Sequence, residues 1–328
     1  MNNRVIYIKE RKRKPQDFQF YMHQFIESGK NAGMFPLKDI SSPKHLFRRI
    51  MPFILFVLNC LKLFKRRRKV LIITSRGDGI LEAAYPYYLN YQIIPMLWDT
   101  WPNEQKRLFK DLRMLKCPLV LVTARQMAVR IEQEFKIKTL WVPEGIDIQG
   151  FITGDELYLR PIDVYELGRQ HPTYHKAIEN AICQGSIKTW KGNTYNADST
   201  LKLLACKNTE ELKKTLSSTK AVICFPKSDT DGLEVSGGIE TLTQRYWEVM
   251  LSRSLIIGRA PKELIDLIGY NPVIDVDWDA PDKQISNIIS HISNYQSLVD
   301  KNYDTACKIA SWDNRMELIK SFITENLH

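Results

Sequence analysis

The chain has 328 residues, of which 44% are apolar and 26% are charged, and these proportions are typical of a globular protein rather than a disordered or fibrous one. Its length exceeds that of a typical single domain, so two domains are expected. The net charge of +10 favours an anionic partner, which could be a nucleic acid, an acidic lipid surface or a phosphorylated ligand.

The six cysteines form no CxxC pair. Most of them lie in apolar runs, which predicts reduced core residues and a cytoplasmic protein. The N-terminal stretch MNNRVIYIKERKRK contains no apolar signal core, so secretion is not expected.

Short strand-like runs alternate with longer helical patterns through the first half of the chain. The run Lys69–Ser75 is continuous and β-branched, as buried parallel strands are, and Tyr91–Trp98 is the next strand. In chain order, the predicted elements are the strand RVIYI, helices near Gln16–Ser28 and Lys44–Phe64, the strand Lys69–Ser75, a turn at Arg76–Gly79, the strand Tyr91–Trp98, the helix NEQKRLFKDLRMLK, the strand Cys117–Ala124, the helix RQMAVRIEQEF and the strand KTLWVPEG. This alternation predicts a mostly parallel sheet covered on both faces.

One segment of the first half, Ile50–Phe64, is almost wholly apolar. Arg48 and Arg49 precede it, and the run KRRRK at Lys65–Lys69 follows it. It is shorter than the ~20 residues that a membrane span needs. Two interpretations stay open: a buried helix with a basic exit turn, or a helix that rests on an anionic membrane surface.

The polar, turn-rich stretch Gly145–Glu156 is predicted to connect two domains, because strand–helix alternation restarts after it. The later elements are the strand Ile162–Gly168, the helix YHKAIENAIC, the strand SIKTW, the helix NTEELKKTLSST with Asn208 or Thr209 as its N-cap, the strands Lys220–Pro226 and Ser254–Gly258, and the amphipathic helix SWDNRMELIKSFITENL. The predicted fold class is therefore α/β, with two Rossmann-like, doubly wound domains that face a central cleft. We expect an N-terminal domain at 1–150, a C-terminal domain at 151–305, and a helix at 306–328 that packs back toward the first domain.

The stretch Gly237–Gly258 contains two acids, a cation and a glycine pair, and it ends in an apolar strand. Glu240 and Glu248 are eight residues apart, which in a helix is a rise of ~12 Å with ~80° of rotation beyond whole turns, so both could face one elongated ligand if Glu240 sits at the helix entrance. Gly237 and Gly238 allow backbone N–H groups to approach an anion, and Arg245 could add charge-assisted hydrogen bonds. This pattern fits a nucleotide-diphosphate site. A plain amphipathic helix with solvent-facing acids fits the spacing as well.

Four stretches in the same order resemble GT-B glycosyltransferases, notably the retaining GT4-like group. Glu240 and Glu248 match that family's motif of two glutamates separated by seven residues. WVPEGID (Trp141–Asp147) is similar to the end of its N-domain, YELGRQ (Tyr165–Gln170) to the opening of its C-domain, and SWDNR (Ser311–Arg315) to the start of its terminal helix. The resemblance covers about residue 91 to the C-terminus.

The resemblance implies roles for individual residues. Arg169 and Lys176 would bind the donor phosphates. Glu248 would bind the nucleotide ribose, and Glu240 would lie near the donor sugar. Arg169 as a surface residue and Lys176 as a solvated helix residue remain the alternatives.

Two departures from the family concern the N-terminal domain. Where the family has a His-Asp-like pair beside the donor sugar, this chain reads Trp98-Asp99, so Asp99 is the candidate for contact with sugar or acceptor, and a turn aspartate is the alternative. The family's early glycine loop is absent, and Ser75–Gly79 is its candidate replacement, with Asp78 near the acceptor.

Two stretches contain residue types that can ligate metal ions. Asp229-x-Asp231 is the pattern with which GT-A enzymes hold a divalent cation, but clusters of Asp, Ser and Gly after a strand are commonly turns. His171 and His175 are four residues apart, with Pro172 between them, which disfavours a helical ligand pair. We predict no metal site and no cofactor.

The resemblance implies a hexosyltransferase-type glycosyltransferase that is retaining and metal-independent. Its partners would be a nucleotide-sugar and a saccharide or lipid-linked acceptor, in bacterial surface-polysaccharide assembly, with no nucleic acid partner. The expected location is the cytoplasm, and a peripheral position on the inner face of the plasma membrane is the alternative. The alternatives are another GT-B enzyme such as a nucleotide-sugar epimerase or a phosphorylase, a non-catalytic GT-B module, and a basic nucleic-acid-binding protein, for which no reading motif is present.

Overall fold

The computed structural model describes residues 5–9, 20–38, 50, 53–54, 57, 69–77, 79–195 and 201–327. The chain divides into two compact units. Unit 1 comprises Met1–Gly145, Glu234–Thr241 and Trp312–His328, and unit 2 comprises Ile146–Leu233 and Leu242–Ser311.

Unit 1 is built on a parallel sheet. Its strands are β1 (Ile6–Lys9), β2 (Phe35–Pro36), β3 (Lys69–Arg76), β4 (Tyr91–Trp98), β5 (Leu119–Val122) and β6 (Lys138–Trp141). Their order is β2-β1-β3-β4-β5-β6. Its helices are α1 (Phe20–Asn31), α2 (Ile80–Ala84), α3 (Pro102–Leu115), α4 (Arg125–Phe135) and, from the C-terminal end of the chain, α13 (Asp313–Asn326).

The central strands of unit 1 are apolar on both faces because helices cover both faces of the sheet. Odd-numbered residues of β3 such as Leu71 and Ile73 belong to one apolar cluster, and even-numbered residues such as Val70 and Ile72 belong to another. The second cluster also contains Trp312, so the C-terminal helix α13 completes one side of the core of unit 1.

Unit 2 has the same organisation with shorter strands. Its strands are β7 (Ile162–Glu166), β8 (Trp190–Gly192), β9 (Thr194–Tyr195), β10 (Leu201–Leu203), β11 (Thr219–Cys224), β12 (Leu255–Gly258) and β13 (Ile274–Asp275). The main sheet has the order β13-β12-β11-β7-β8 and is parallel, while β9 and β10 form an antiparallel pair. Its helices are α5 (Pro172–Cys183), α6 (Thr209–Ser217), α7 (Lys227–Thr230), α9 (Gln244–Leu251), α10 (Lys262–Ile268), α11 (Pro281–Ser290) and α12 (Gln296–Ile309), and α8 (Gly232–Ser236) lies where the chain passes between the units.

The predicted α/β class with two doubly wound domains is confirmed. The strand predicted at Tyr91–Trp98 matches β4 in both bounds, and the capped helix begins after Asn208, whose side chain accepts a hydrogen bond from Glu211 N. The strand predicted at Cys117–Ala124 is shorter, because only Leu119–Val122 pairs in the sheet.

Most of the apolar segment Ile50–Phe64 lies outside the described residues. Within the part of the chain that the structure describes, no helix combines the length and the apolar character needed to cross a membrane.

Candidate functional site

The sheet of unit 2 changes winding direction between β7 and β11. From β7 the chain moves to β8 on one side, and it returns to β11 on the other side before it continues to β12 and β13. Ligands of doubly wound folds bind at such a point, outside the carboxyl ends of the strands. The loops that follow Glu166 and Cys224 therefore form the candidate ligand site of unit 2.

Gly168, directly after β7, has a backbone φ of +84° and lies against Arg245. A Cβ atom added to Gly168 would lie 2.3 Å from Arg245 Nη2. Only glycine has both the required backbone freedom and the space for this guanidinium. Among the described residues, no carboxylate or carbonyl forms a hydrogen bond or ion pair with the Arg245 side chain.

Glu248 is three residues after Arg245 on α9, so both side chains lie on one face of the helix. Burial raises the pKa of Glu248, and the charges of Arg245 and Lys213 oppose that rise. The described part of the chain offers the Glu248 carboxylate no hydrogen-bond donor. Arg245 and Glu248 therefore place a cation and a hydrogen-bond acceptor side by side, and no described side chain forms a hydrogen bond with either of these two groups.

The residues whose pKa values this pair affects place it at the switch point, which is the change of winding direction between β7 and β11. Arg245 and Glu248 act on the pKa of Tyr165, on β7, and on that of Cys224, the last residue of β11. Burial raises the pKa of the Cys224 thiol to about 12, and burial also raises the pKa of Tyr165, whose hydroxyl lies 3.6 Å from Cys206 Sγ. Arg245 and Glu248 are thus close to the carboxyl ends of the two strands that flank the change of direction.

Arg169 follows Gly168 and is held by the segment after β11. Its Nε lies 3.2 Å from Asp231 Oδ1 and donates to Thr230 Oγ1 at 3.1 Å. The side chain is 45% exposed, so part of its guanidinium faces solvent. Its predicted role at the donor phosphates stays a prediction.

Lys176 projects from α5 as an exposed side chain, and its assignment to phosphate also stays a prediction. The preceding residue, His175, is engaged more tightly. His175 Nδ1 lies 2.6 Å from Glu166 Oε2, and Trp190 Nε1 donates to the same oxygen at 2.8 Å. The hydrogen bond to Glu166 raises the pKa of His175.

The pair of Glu166 and His175 was not found by sequence reasoning. A signal was present, since Glu166 is an acid at the end of a short buried strand and is 1% exposed. A buried carboxylate needs partners, and a histidine nine residues further on is one that the chain supplies. The pair places a cation-prone imidazole in the first turns of α5, close to the loop that contains Gly168.

Asp99, at the end of β4 in unit 1, forms an ion pair with Arg76 at the end of β3. Arg76 Nε lies 3.0 Å from Asp99 Oδ2. Asp99 has a positive φ of 49°, which is uncommon for a residue with a side chain. Tyr21 lies close by, and its pKa is raised to about 12 by burial and by the charge of Asp99. Asp78 lies outside the described residues.

The stretch that begins at Gly237 is not one helix, so the interpretation that Glu240 sits at the entrance of the helix of Glu248 is wrong. Helix α9 begins only at Gln244. Gly237 and Gly238 have positive φ values of 61° and 70° and form a turn instead. Residues 239–243 after this turn are not helical, and the N-cap residue of α9, Thr243, has an extended backbone, so Glu240 lies outside the helix.

The turn and Glu240 belong to unit 1, where Gln126 of α4 holds them. Gln126 Nε2 donates to Gly238 O at 3.0 Å, and Glu240 N donates to Gln126 Oε1 at 2.7 Å. The Gly238 N–H donates to Ser236 Oγ at 3.2 Å. The two glutamates of the motif are therefore fixed by different units, and the roles predicted for Gly237, Gly238 and Glu240 stay predictions.

Both aspartates of the Asp229-x-Asp231 pattern are ion-paired. Asp229 Oδ2 accepts from Arg259 Nε at 2.6 Å, and Asp231 contacts Arg169. A search of the described residues finds no group of three or more histidine, cysteine or acidic side chains arranged to hold a metal ion.

Comparison with known proteins finds likeness in structure alone. No protein family model matches the chain, and neither does any curated protein sequence. HepE from Anabaena, solved with UDP-glucose, is similar with a TM-score of 0.64 at 10% identity, over 98% of this chain and 100% of that one. A sucrose-phosphate synthase from Thermosynechococcus elongatus has a TM-score of 0.58 at 12% identity, over 98% and 99% of the two chains.

A third solved structure, OtsA in its apo form, has a TM-score of 0.58 at 10% identity and covers 99% of both chains. Two units with parallel, doubly wound sheets define the class of two-domain Rossmann-like proteins. Within that class, the chain has the fold of the GT-B glycosyltransferases, as the resemblance in its sequence implied.

Proposed function

We propose that this protein is a glycosyltransferase that moves a sugar from a nucleotide-sugar to a saccharide or lipid-linked acceptor. The observation that carries the proposal is the pair of Arg245 and Glu248 at the switch point of unit 2. A guanidinium suits a diphosphate, and a carboxylate suits the paired hydroxyls of a ribose. The binding of UDP-glucose by HepE, which shares the fold, supports the same ligand class.

The residues of unit 2 would divide the donor between them. Glu248 accepts hydrogen bonds from the ribose, and Arg245, Arg169 and Lys176 neutralise the diphosphate. As the bond to the sugar breaks, negative charge grows on the departing nucleoside diphosphate, and fixed cations stabilise that charge without an obligatory metal. His175, whose pKa Glu166 raises, adds a cation-prone group on the same side of the sheet.

The residues of unit 1 would serve the sugar and the acceptor. Glu240 and Asp99 are the acids proposed at the reacting sugar, with the backbone of Gly237 and Gly238 and the Asp78 side chain as further contacts. Retention of the anomeric configuration is the outcome that the resemblance to the GT4-like group favours. Surface-polysaccharide assembly in a bacterium is the proposed setting.

A thermal-shift panel of UDP-, GDP-, CMP- and dTDP-sugars tests the proposal. A ligand present at a hundred times its Kd adds about 2.7 kcal/mol to the free energy of unfolding, and in a chain of this size this raises Tm by several degrees. We expect one nucleotide class to do so, and the free sugars, as matched controls, not to do so. Stabilisation by oligonucleotides, with none by any nucleotide-sugar, would contradict the proposal.

A peripheral membrane position is the second part of the proposal. The described residues of the basic apolar segment include Ile50 and Phe53, which are 47% and 69% exposed, while Ile54 packs against the core of unit 1. Exposed apolar side chains between basic runs are typical of a helix that lies on an anionic bilayer.

Liposome flotation measures this association. The protein should co-float with vesicles that contain phosphatidylglycerol and not with pure phosphatidylcholine vesicles, and Phe53→Ser should reduce the floated fraction. A matched change elsewhere, Leu318→Ser on the exposed face of α13, should leave it unchanged. Absence of the wild-type protein from the lipid fraction would rule out the membrane position.

A further inference from the structure

A second recess lies at the same edge of the sheet of unit 2, formed by other residues. We call it the Trp278 pocket, and its volume is about 400 Å³, within the range of small-molecule sites. Its lining residues come from the ends of β12 and β13 and from the segments that follow β7, β11, β12 and β13, and they are His171, Asp229, Gly258, Arg259, Asp275, Val276 and Trp278. None of them has a role in the donor site proposed above.

The aromatic wall of the pocket is a set of contacting rings in which Trp278 stays partly exposed. Trp278 is 51% exposed, and its ring centroid lies 4.8 Å from that of His171, which in turn lies 5.0 Å from that of Phe225. About half of the Trp278 side chain is therefore open to a ligand, and an apolar ring face can pack against it.

The polar wall combines donors and acceptors with an excess of negative charge. Arg259 holds Asp229 through two hydrogen bonds, from Nε to Oδ2 at 2.6 Å and from Nη2 to Oδ1 at 2.5 Å. Asp275 is exposed at the opposite side and accepts from Asn271 Nδ2 at 2.8 Å. With two carboxylates against one guanidinium, the pocket disfavours a phosphate or another anion.

His171 adds an unused polar atom. Its Nδ1 is buried and has no hydrogen-bond partner among the described residues. Burial lowers the pKa of His171 while Asp229 opposes the change, so the ring is predominantly neutral near pH 7. A neutral ligand with hydroxyl groups can satisfy this nitrogen without bringing a charge into the pocket.

We propose that the Trp278 pocket binds a neutral saccharide ring, with the apolar C–H face of a pyranose on the indole and its hydroxyls on the carboxylates and guanidinium. A pyranose has an apolar face and a polar edge, which is the division that the two walls present. In a glycosyltransferase this ring would belong to the acceptor or product chain. Only this identity of the saccharide rests on the proposed function, because saccharide binding by the pocket can be measured without any nucleotide.

Saturation-transfer NMR on the full chain tests the proposal with methyl glucopyranoside, methyl galactopyranoside, methyl mannopyranoside and N-acetylglucosamine, each as both anomers. We expect saturation transfer to at least one of these sugars. Trp278→Ala should weaken its binding by about tenfold or more, since it removes the platform. Trp278→Phe should keep most of the binding because it keeps a ring.

Two further variants protect the result against a folding artefact. Asp275→Asn, with nearly the same shape, should weaken binding severalfold. Tyr158→Ala removes an aromatic side chain of similar exposure, 54%, outside the pocket and should have no effect. Lack of saturation transfer to every sugar, unchanged binding by Trp278→Ala, or displacement of the sugar by uridine or adenosine would each overturn the proposal. Thermal shifts with nucleotide-sugars are a separate measurement, so the two proposals fail separately.

Discussion

Replacing Glu248 with glutamine is expected to weaken nucleotide-sugar binding by about ten- to a hundredfold while the protein stays at least as stable. A hydrogen bond to a charged group contributes about 1.5–3 kcal/mol, and the ribose contacts proposed for Glu248 are of that kind. Stability is expected to hold because the carboxylate is half-buried, its pKa is raised by burial and no described residue donates to it, so ionising it costs free energy in the folded state. Calorimetric titration and thermal unfolding measure the two effects on one preparation.

The sign of the pH dependence gives an independent check on Glu248. Burial raises its pKa in the folded state, so the folded protein binds more protons than the unfolded chain just above the ordinary pKa. Stability from this group is therefore greatest below pH ~4.5 and decreases as pH rises through the raised pKa. The advantage of Glu248→Gln in Tm should shrink as pH falls through that window. Unchanged nucleotide affinity in this variant would remove Glu248 from the site.

A matched control for Glu248 is Glu317 on the outer face of α13. Its carboxylate is 78% exposed and forms an ion pair with Lys320. Glu317→Gln removes the same charge from the chain, so a general electrostatic effect on an anionic ligand would appear in both variants. Only the Glu248 variant should lose specific binding.

Trp312→Ala is expected to lower the free energy of unfolding by about 3–5 kcal/mol, the largest loss among the changes considered. The side chain is 1% exposed, and its ring meets Phe25 at 5.2 Å and Trp98 at 6.0 Å between centroids. Gly145 lies so close that an added Cβ would be 2.8 Å from Trp312 Cδ2. Removing the indole leaves a cavity that this ring cluster and the tight backbone cannot fill by relaxation.

Urea unfolding followed by circular dichroism measures the loss. Leu318→Ala on the same helix is the control, because Leu318 is 46% exposed and its truncation should change stability by no more than about 0.5 kcal/mol. A loss below about 1 kcal/mol for Trp312→Ala would show that the terminal helix does not complete the core of unit 1.

Much of the fold could be predicted because its signals are local. The run at Tyr91–Trp98 needs no tertiary information to be recognised as a buried strand. Asn208 or Thr209, followed by Glu210 and Glu211, marks the start of a helix by capping chemistry, and the structure places the cap at Asn208. The resemblance of SWDNR to a terminal helix start matched α13, which begins at Asp313.

The site was less predictable because its residues are far apart in the sequence and come together only in the folded structure. Arg245 was noticed as a cation between two acids, but its position against Gly168, 77 residues earlier in sequence, follows only from the pairing of β7 with β11. The spacing of Glu240 and Glu248 also suggested one helix, but α9 begins only at Gln244, so Glu240 lies on the non-helical segment ahead of it. The pair of Glu166 and His175 needed both the strand end and the first turns of α5 in place.

The sequence by itself determined the α/β class, most strands and the family resemblance, because apolar periodicity and capping are properties of neighbouring residues. The tertiary structure decided which charged groups are already satisfied. Arg169, Asp229 and Asp231 have partners, while Arg245 and Glu248 lie together at the switch point and no described side chain pairs with them. Whether a charged group has a partner depends on the distances between strand ends. Hydrogen bonding in the sheet sets these distances, and no local sequence pattern encodes them.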